Sequence, residues 1–257
     1  MVDCFILAGG VSPWLREAAG TEHRCLVRLG DKRSIDYIIS ALKKSGCIRR
    51  IAIAADKGAL PELRATLPED ILLCEAAGDL PATACAAAQT LGEDSTEKLL
   101  GVCDDIPLLS PIAVREFLAD CDAYPQSALY YPIIPKDAYL ASFPKAQRTY
   151  GRLADGTFTG GNMMLAAKEI IFSKQQAARE IFARRKSPLQ LCNWLGWRFI
   201  IKLLTHRLTL ADAQQRTSEL LGMSCKVIIT RHAGVGMDID KPGDLELAKN
   251  YLHQAQP

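Results

Sequence analysis

Four acidic residues in two separate segments are the side chains best suited to hold a metal ion. Asp104 and Asp105 directly follow a short apolar run, and Asp238 and Asp240 precede a predicted helix near the end of the chain. Mg²⁺ prefers oxygen ligands and usually keeps phosphate or water in its shell. Adjacent acids repel one another unless a cation or a hydrogen-bond donor is near. We therefore expect Asp105 and one of the later pair to share a magnesium ion. The alternatives are loop or helix-cap acids, with Asp240 as an N-cap.

A glycine pair suited to binding phosphate follows the first apolar run. The sequence there is Leu7-Ala8-Gly9-Gly10. Glycine lets backbone amides approach an anion closely, and consecutive amides form an anion nest. Neither a Gly-Lys-Ser/Thr phosphate loop nor a GxGxxG dinucleotide motif is present. The segment therefore predicts a phosphate-binding turn, with a plain tight turn as the alternative.

A second glycine pair precedes an asparagine. The segment Thr159-Gly160-Gly161-Asn162 leads into the apolar Met163-Met164-Leu165. An asparagine amide both donates and accepts hydrogen bonds, so Asn162 could bind a sugar hydroxyl or a phosphate. The alternative is a glycine bulge or a hairpin turn.

Strand and helix signals alternate through the first half of the chain. Predicted strands cover residues 2–7, 51–54, 71–74, 98–103 and 128–133, and predicted helices cover 34–45, 60–66 and 81–91 and begin again at Ser110-Pro111. Ser34 is the expected cap of the first long helix. This alternation indicates a three-layer α/β sandwich with a mainly parallel sheet. Ligands of such sheets bind beyond the carboxyl ends of the strands. Gly9 and Asp105 therefore belong to the same predicted site.

The second half is predicted to be more helical. Residues 168–221 read as helices, broken near Lys186-Ser187-Pro188, with a helix start at Thr209 and an end at Gly222. A strand at 226–230 and a helix at 242–253 complete the pattern. We expect one domain, residues 1–257, with a helical subdomain at about 168–221.

Composition excludes several functional classes. The 257 residues carry a net charge of +2, which gives no reason to expect a nucleic-acid partner. The nine cysteines lack a CxxC pair, which favours buried thiols in a reducing compartment over a zinc site. The N-terminus does not resemble a signal peptide, and no apolar run approaches the length of a membrane span. We expect a cytoplasmic protein. The apolar segment Trp194 to Leu204 leaves three options open: a homodimer face, an interfacial membrane helix, or a helix packed over the sheet.

Taken together, these motifs resemble the MobA-like NTP transferase family. The residues that carry the resemblance are Ile6-Leu7-Ala8-Gly9-Gly10, Arg24-Cys25-Leu26-Val27, Asp105-Ile106-Pro107-Leu108-Leu109, Thr159-Gly160-Gly161-Asn162 and Asp238-Ile239-Asp240-Lys241-Pro242-Gly243-Asp244-Leu245. The last segment is similar to the family's terminal Asp-x-Pro-x-Asp-Leu element. The resemblance spans the chain from the first strand to the last helix, and residues 168–221 are its least typical part.

The resemblance implies a nucleotide-diphospho-sugar transferase-like fold and a set of site residues. It implies that Asp105 and Asp240 bind Mg²⁺, that Gly161 and Asn162 bind the acceptor, and that Arg24 and Arg16 are catalytic. The nucleotide-binding residues that it implies are Leu7, Ala8, Gly9, Gly10, Gly78 and Asp104.

The chain departs from the family pattern in the phosphate loop. The family loop is Gly-Gly-x-Gly-Thr-Arg-Met, whereas the aligned stretch here runs from Gly9 to Leu15 and has Trp14 in place of the arginine. Arg16, two positions on, is the nearest replacement for that charge. Pro13 removes one amide donor from the loop. Arg24 replaces the usual lysine, which keeps the charge and allows bidentate contact with a phosphate.

The resemblance implies a Mg²⁺-dependent nucleotidyltransferase. Its partners would be an NTP and a small phosphorylated or anionic acceptor, and pyrophosphate would be released. The basic residues Lys136, Lys145, Arg148 and Arg152 could bind the acceptor, or could form a solvated loop. Two alternatives remain at this stage: a non-catalytic nucleotide-binding regulatory protein on the same fold, and a glycosyltransferase that uses a nucleotide sugar.

Overall fold

The strands and helices of the chain were assigned from a computed structural model, which describes residues 1–184, 197–205 and 207–254. The strands are β1 (Val2–Ala8), β2 (Arg28–Leu29), β3 (Lys32–Arg33), β4 (Ile48–Ala55), β5 (Ile71–Glu75), β6 (Lys98–Cys103), β7 (Leu129–Pro135), β8 (Gly151–Leu153), β9 (Gly156–Gly160), β10 (Met163–Ala167) and β11 (Cys225–Ile229). The helices are α1 (Trp14–Ala19), α2 (Ser34–Lys44), α3 (Leu60–Thr66), α4 (Leu80–Thr90), α5 (Pro111–Asp122), α6 (Lys136–Ser142), α7 (Lys168–Ser173), α8 (Gln175–Arg184), α9 (Trp197–Leu204), α10 (Leu210–Leu221) and α11 (Pro242–Gln254).

One mixed sheet organises the molecule. Its strand order is β5-β4-β1-β6-β10-β7-β9-β8, with β11 paired to β7. Strands β5, β4, β1 and β6 are parallel, as the alternating pattern predicted, and β10 is antiparallel to both β6 and β7. The carboxyl ends of β1 and β6 therefore meet the amino end of β10 at one edge of the sheet. That edge carries Gly9, Asp105 and Asn162.

Helices cover both faces of the sheet, which confirms the predicted three-layer architecture. On one face, α2, α3 and α5 bury Ile38, Leu63 and Phe117 against the strands. On the other face, α4 and α7 bury small or branched side chains such as Ala87 and Ile171. Alanines along α4 let this helix approach the sheet closely, next to the carboxyl ends of β1 and β5.

Several predicted helix boundaries are confirmed. Ser110 accepts the Ala113 amide at the start of α5, and Thr209 forms a capping box with Asp212 at the start of α10. Gly222 ends α10 in the left-handed conformation. The expectation that Ser34 caps α2 was wrong. Ser34 is fully buried and is the first residue of the helix, and its hydroxyl donates instead to the carbonyl of Asp104 at 2.9 Å.

The second half contains elements that periodicity did not show. Helix α6 and strand β8 lie in the segment 136–155, which lacked a clear pattern. Gly160 ends β9 and pairs with Ile133, and Gly161 lies between β9 and β10, two strands that pair antiparallel with β7 in shifted register. The break predicted at Lys186-Ser187-Pro188 lies outside the described residues.

Helix α9 carries part of the apolar segment that the sequence singled out. Ile201 is 49% exposed and Leu204 is 73% exposed. Lys202 ties the helix to α10 through an ion pair with Asp212 at 2.6 Å. Within the described ranges, every helix is too short or too polar to traverse a lipid bilayer.

Candidate active site

Three acids from two distant segments meet at the carboxyl edge of the sheet. Asp105, Asp238 and Asp240 offer carboxylate oxygens that lie within 4.8 Å of one another. Ile239 explains how the later pair is held. Its side chain is buried, and its backbone N–H donates to the carbonyl of Asp105 at 3.0 Å. Burial of Ile239 between the two acids directs both carboxylates toward Asp105.

The acid cluster has the chemistry of a divalent-cation site. Asp105 is buried, and its Oδ1 has no hydrogen-bond partner. Burial, with repulsion by Asp238, raises the pKa of Asp105 to about 6, although Arg24 opposes both effects. A buried carboxylate oxygen without a donor is unfavourable unless a cation satisfies it. Three carboxylate ligands therefore fit Mg²⁺, with Asp105 and Asp240 as predicted and Asp238 in addition.

Asp104 lies behind the cluster, against the glycine turn. Its side chain is buried and its Oδ2 is unpartnered, while its backbone N–H donates to Leu7 O at 3.3 Å. Burial raises its pKa well above the usual value, and repulsion by Asp105 adds to the rise. A Cβ placed on Gly10 would lie 3.8 Å from Asp104 Oδ1. Asp104 is thus beside the predicted phosphate turn.

Arg24 connects the glycine turn with the acids. Its Nη1 lies 2.8 Å from Asp105 Oδ2 and its Nη2 lies 3.0 Å from Asp240 Oδ1. Its Nε donates to Ser12 Oγ at 3.0 Å. Burial lowers the pKa of the guanidinium, but Asp105, Asp240 and Asp104 together hold it above its ordinary value. Arg24 is therefore a permanent positive charge between the loop and the cluster.

Close packing explains the first of the two glycines that follow β1. A Cβ on Gly9 would lie 2.8 Å from the Cβ of Ala76, closer than real side chains approach. Gly10 accepts the Arg24 amide at 3.4 Å, and the Ser12 amide donates to Glu22 O at 2.8 Å. The turn is therefore held beneath the segment that carries Arg24.

The loop residues that depart from the family pattern take structural positions. Trp14 is partly buried against an apolar cluster that contains Ile239 and Leu245. Arg16 is not brought to the acids: its side chain is 71% exposed and its Nη2 pairs with Glu22 Oε2 at 2.7 Å. Trp14 thus supports the segment bearing Asp238 and Asp240 from behind, and Arg24 is the loop-side cation that contacts the acids.

The predicted nucleotide residue Gly78 precedes α4. Its φ is +39°, and a Cβ there would meet nothing within 4 Å. Asp79 caps α4 by accepting the Ala82 amide at 2.8 Å, and it also pairs with Arg179 of α8 at 2.5 Å. Thr83 bonds both the amide and the carbonyl of Ala77 through its hydroxyl. Gly78 is therefore open to solvent, while hydrogen bonds hold Asp79 and Thr83 in place on either side of the turn.

The acceptor residues predicted from the second glycine pair lie next to the acids. Asn162 accepts the Cys103 amide at 2.9 Å and donates its own amide to Val235 O at 2.9 Å. Its side-chain Nδ2 is buried without a partner. A Cβ on Gly161 would lie 2.8 Å from the Val235 side chain. Packing explains the glycine, and the side-chain amide of Asn162 is left without a hydrogen-bond partner.

A largely buried arginine of the basic segment contacts the acid cluster. The Arg148 guanidinium bonds Asp238 Oδ1, and it also donates to Thr159 Oγ1 at 3.1 Å and to Gly160 O at 3.2 Å. Its side chain is only 15% exposed. Arg148 was one of four basic residues without periodicity, and nothing in the sequence distinguished it. Ser12, which accepts a hydrogen bond from Arg24, is a further contributor that the sequence did not indicate.

Comparisons with known proteins show which family and fold this chain has. The family model described as the MobA-like NTP transferase domain matches residues 4–182. A structure of a hypothetical transferase from Thermus thermophilus is 33% identical, with a TM-score of 0.76, and the alignment covers 95% of this chain and 100% of that one. Comparison with curated protein sequences gives no match.

Two further solved structures share the fold at low identity. A CMP:2-keto-3-deoxy-manno-octonic acid synthetase complexed with CTP is 12% identical with a TM-score of 0.65, covering 99% of each chain. A 4-diphosphocytidyl-2C-methyl-D-erythritol synthase from Anaerococcus prevotii is 13% identical with a TM-score of 0.59, covering 98% of this chain and 96% of that one. The predicted nucleotide-diphospho-sugar transferase-like fold is thereby confirmed.

Proposed function

The chain belongs to the family of MobA-like NTP transferase domains, and we propose that it transfers a nucleoside monophosphate from an NTP to a small anionic acceptor. An acceptor oxygen attacks the α-phosphorus, the bond from that phosphorus to the oxygen bridging it to the β-phosphorus breaks, and pyrophosphate leaves. The observation that carries this proposal is the unpartnered Oδ1 of buried Asp105 among three acids, beside a glycine turn.

Asp105, Asp238 and Asp240 would hold the metal ion. A bound Mg²⁺ would neutralise charge on the phosphates and on the leaving pyrophosphate. The remaining requirements fall on the protein: it must bind the triphosphate, orient the acceptor and exclude water.

Backbone amides and Arg24 would bind the triphosphate. Gly9 and Gly10 present main-chain donors without a Cβ in the way, and the Arg24 guanidinium lies over the turn. A planar guanidinium binds a phosphate through two parallel hydrogen bonds. This arrangement supplies positive charge that the family loop takes from the arginine replaced by Trp14. Arg16 would need a different rotamer to contribute.

The acceptor would bind on the side of Asn162. The buried Nδ2 of Asn162 lacks a partner, and Arg148 brings positive charge to the same edge of the sheet. A hydrogen-bond donor beside a cation favours a carboxylate or phosphate group on the acceptor. Gly161 lets the chain pack against Val235, which fixes the direction of the Asn162 side chain.

A second candidate is a nucleotide-binding protein without turnover. Trp14 supports it, because this side chain replaces a loop arginine and packs into an apolar cluster.

A homodimer is also proposed, supported by the exposed Ile201 and Leu204 of α9. Sedimentation at two protein concentrations tests the homodimer: a dimer mass supports it and a monomer mass at both contradicts it.

Pyrophosphate release tests the proposed activity. The protein is incubated with Mg²⁺, each of the four common NTPs and a panel of small phosphates and carboxylic acids. We expect release with a single preferred NTP and only when an acceptor is present. NTP binding by thermal shift without release supports the binding protein instead. Absence of both release and binding overturns both proposals.

A further inference from the structure

We propose that Arg24 is an internal counter-ion that keeps a free divalent cation out of the acid cluster until an NTP supplies it with another partner. This inference concerns the metal site of the proposed function and therefore rests on it. It assigns Arg24 a role in the order of binding, in addition to contact with phosphate.

The first support is the geometry of Arg24. Its Nη1 reaches Asp105 at 2.8 Å, its Nη2 reaches Asp240 at 3.0 Å, and its Nε donates to Ser12 at 3.0 Å. All three nitrogens thus have partners in the protein. Two of those partners are the acids that the metal ion requires.

The second support is the balance of charge. Three carboxylates approach one another in a partly buried site, and Arg24 and Arg148 contribute two positive charges that face them. Buried like charges repel strongly unless they are paired, so these guanidiniums stabilise the ligand-free cluster. A divalent ion entering alone would face the Arg24 charge at short range, and it would also have to break the two ion pairs.

The third support is the place to which Arg24 can turn. The Cδ of Arg24 would lie 3.4 Å from a Cβ on Gly10, so the side chain crosses directly over the glycine turn. Phosphates bound to that turn would lie within reach of the guanidinium. Arg24 then releases the carboxylates of Asp105 and Asp240 and donates to phosphate oxygens instead. The acids are then free for the cation. Metal and NTP therefore assist one another's binding, and the effect is reciprocal.

Arginine suits this role better than lysine. A guanidinium presents several donors in a fixed plane, which lets Arg24 contact Ser12, Asp105 and Asp240 together. An ammonium group is a compact point charge and reaches fewer partners at once. Replacement of the family lysine by Arg24 is therefore expected to strengthen the exclusion of free metal.

Binding of Mn²⁺ alone, followed by electron paramagnetic resonance of the free ion, tests the proposal. We expect Arg24→Gln to bind Mn²⁺ about fivefold or more tightly than the wild-type protein, and to lose most of the enhancement that NTP gives. Arg24→Lys should lie between the two. Arg231→Gln is the matched control, because it removes an exposed arginine that pairs with Asp137, and it should bind Mn²⁺ as the wild-type protein does.

Three results would overturn the inference. They are Mn²⁺ binding by Arg24→Gln that is no tighter than wild type, a gain that persists when Asp105→Asn is added, and the absence of Mn²⁺ binding in every variant. Thermal unfolding of each variant shows whether it is folded. If Arg24→Gln does not fold, Arg24→Lys, which preserves the charge, is compared with wild type instead. Mn²⁺ binding without NTP needs no turnover. The inference can therefore fail while the proposed activity holds, and the proposed activity can fail while Arg24 still weakens Mn²⁺ binding.

Discussion

The backbone N–H of Ile239 donates to the carbonyl of Asp105 at 3.0 Å, which fastens the segment before α11 to the end of β6. This bond joins the two parts of the chain that supply the acid cluster. With the Ile239 side chain buried beneath it, Asp238 and Asp240 are presented as a pair. Packing of the fold therefore brings the acid cluster together.

Removal of one acid is predicted to stop turnover without unfolding the protein. Asp105→Asn deletes the buried carboxylate charge that the proposed metal ion needs, and the rate of pyrophosphate release should fall about 100-fold or more. Asp70→Asn is the matched control, because Asp70 is exposed and pairs with Lys43 on the surface. Equal rates for Asp105→Asn and wild type would remove Asp105 from the mechanism.

Gly9→Ala is predicted to destabilise the fold by a steric clash with a known partner. The added Cβ would lie 2.8 Å from the Cβ of Ala76, and overpacking of this kind costs about 1–3 kcal/mol. The double variant Gly9→Ala with Ala76→Gly removes the second methyl group and should recover most of the loss in urea unfolding.

Gly243→Ala serves as the control for the glycine series, because a Cβ there meets nothing within 4 Å. It should leave the free energy of unfolding nearly unchanged. If the double variant is as unstable as Gly9→Ala alone, contact with Ala76 is not the reason for the glycine.

Trp14→Arg restores the residue that the family loop has, and it is predicted to harm the protein. Trp14 packs against the cluster that contains Ile239 and Leu245, so a charge there would loosen the segment that carries two of the acids. We expect the free energy of unfolding to fall by about 2 kcal/mol and NTP affinity not to improve. Trp14→Phe, which keeps an aromatic ring, is the control. A gain in NTP affinity for Trp14→Arg would show that the loop keeps the family geometry.

Acid stability is predicted to depend on Asp3 at the opposite edge of the sheet. Asp3 is fully buried, which raises its pKa, but hydrogen bonds from Arg49, Arg50 and the Thr96 amide outweigh burial and hold the pKa well below its usual range. A depressed folded-state pKa stabilises the protein above the unfolded-state pKa of about 3.9, and this stability is lost as pH falls toward the folded-state value.

Comparison with Asp3→Asn isolates that contribution. At pH 7 the variant should unfold with about 3 kcal/mol less free energy than wild type, because two arginines lose a buried partner. The difference in the free energy of unfolding should narrow as the pH is lowered from 5 to 3. Over this range wild type loses the stability that ionised Asp3 contributes, whereas the asparagine variant has no group to protonate at this position. A difference that stays constant across this range would contradict the assignment.

The sequence was sufficient for the fold, and it places the candidate site at one end of the sheet. The strand–helix alternation predicts a parallel sheet, and the rule that ligands bind at the carboxyl edge selects Gly9 and Asp105. The caps at Ser110 and Thr209 were also predictable, because hydroxyl capping is local chemistry. The structure confirms the parallel strands and both caps.

What the sequence could not supply depends on contacts between distant residues. Arg148 lies in a basic segment without periodicity, and only the fold brings it to Asp238. The roles of Ser34 and Trp14 were also hidden, because a serine before a helix suggests a cap and an aromatic residue in a loop suggests nothing specific. Their actual partners, the Asp104 carbonyl and the Ile239 cluster, are set by tertiary packing.

Transfer of radiolabel from the α-phosphate of an NTP tests the central claim most directly. The protein is supplied with Mg²⁺, an acceptor panel and the preferred NTP labelled at either the α- or the γ-phosphate. We predict that the α-label enters an acceptor product and the γ-label appears in pyrophosphate, with both lost in Asp105→Asn. Label that remains in the NTP with wild-type protein, or γ-label found in the acceptor, would contradict nucleotidyl transfer at this site.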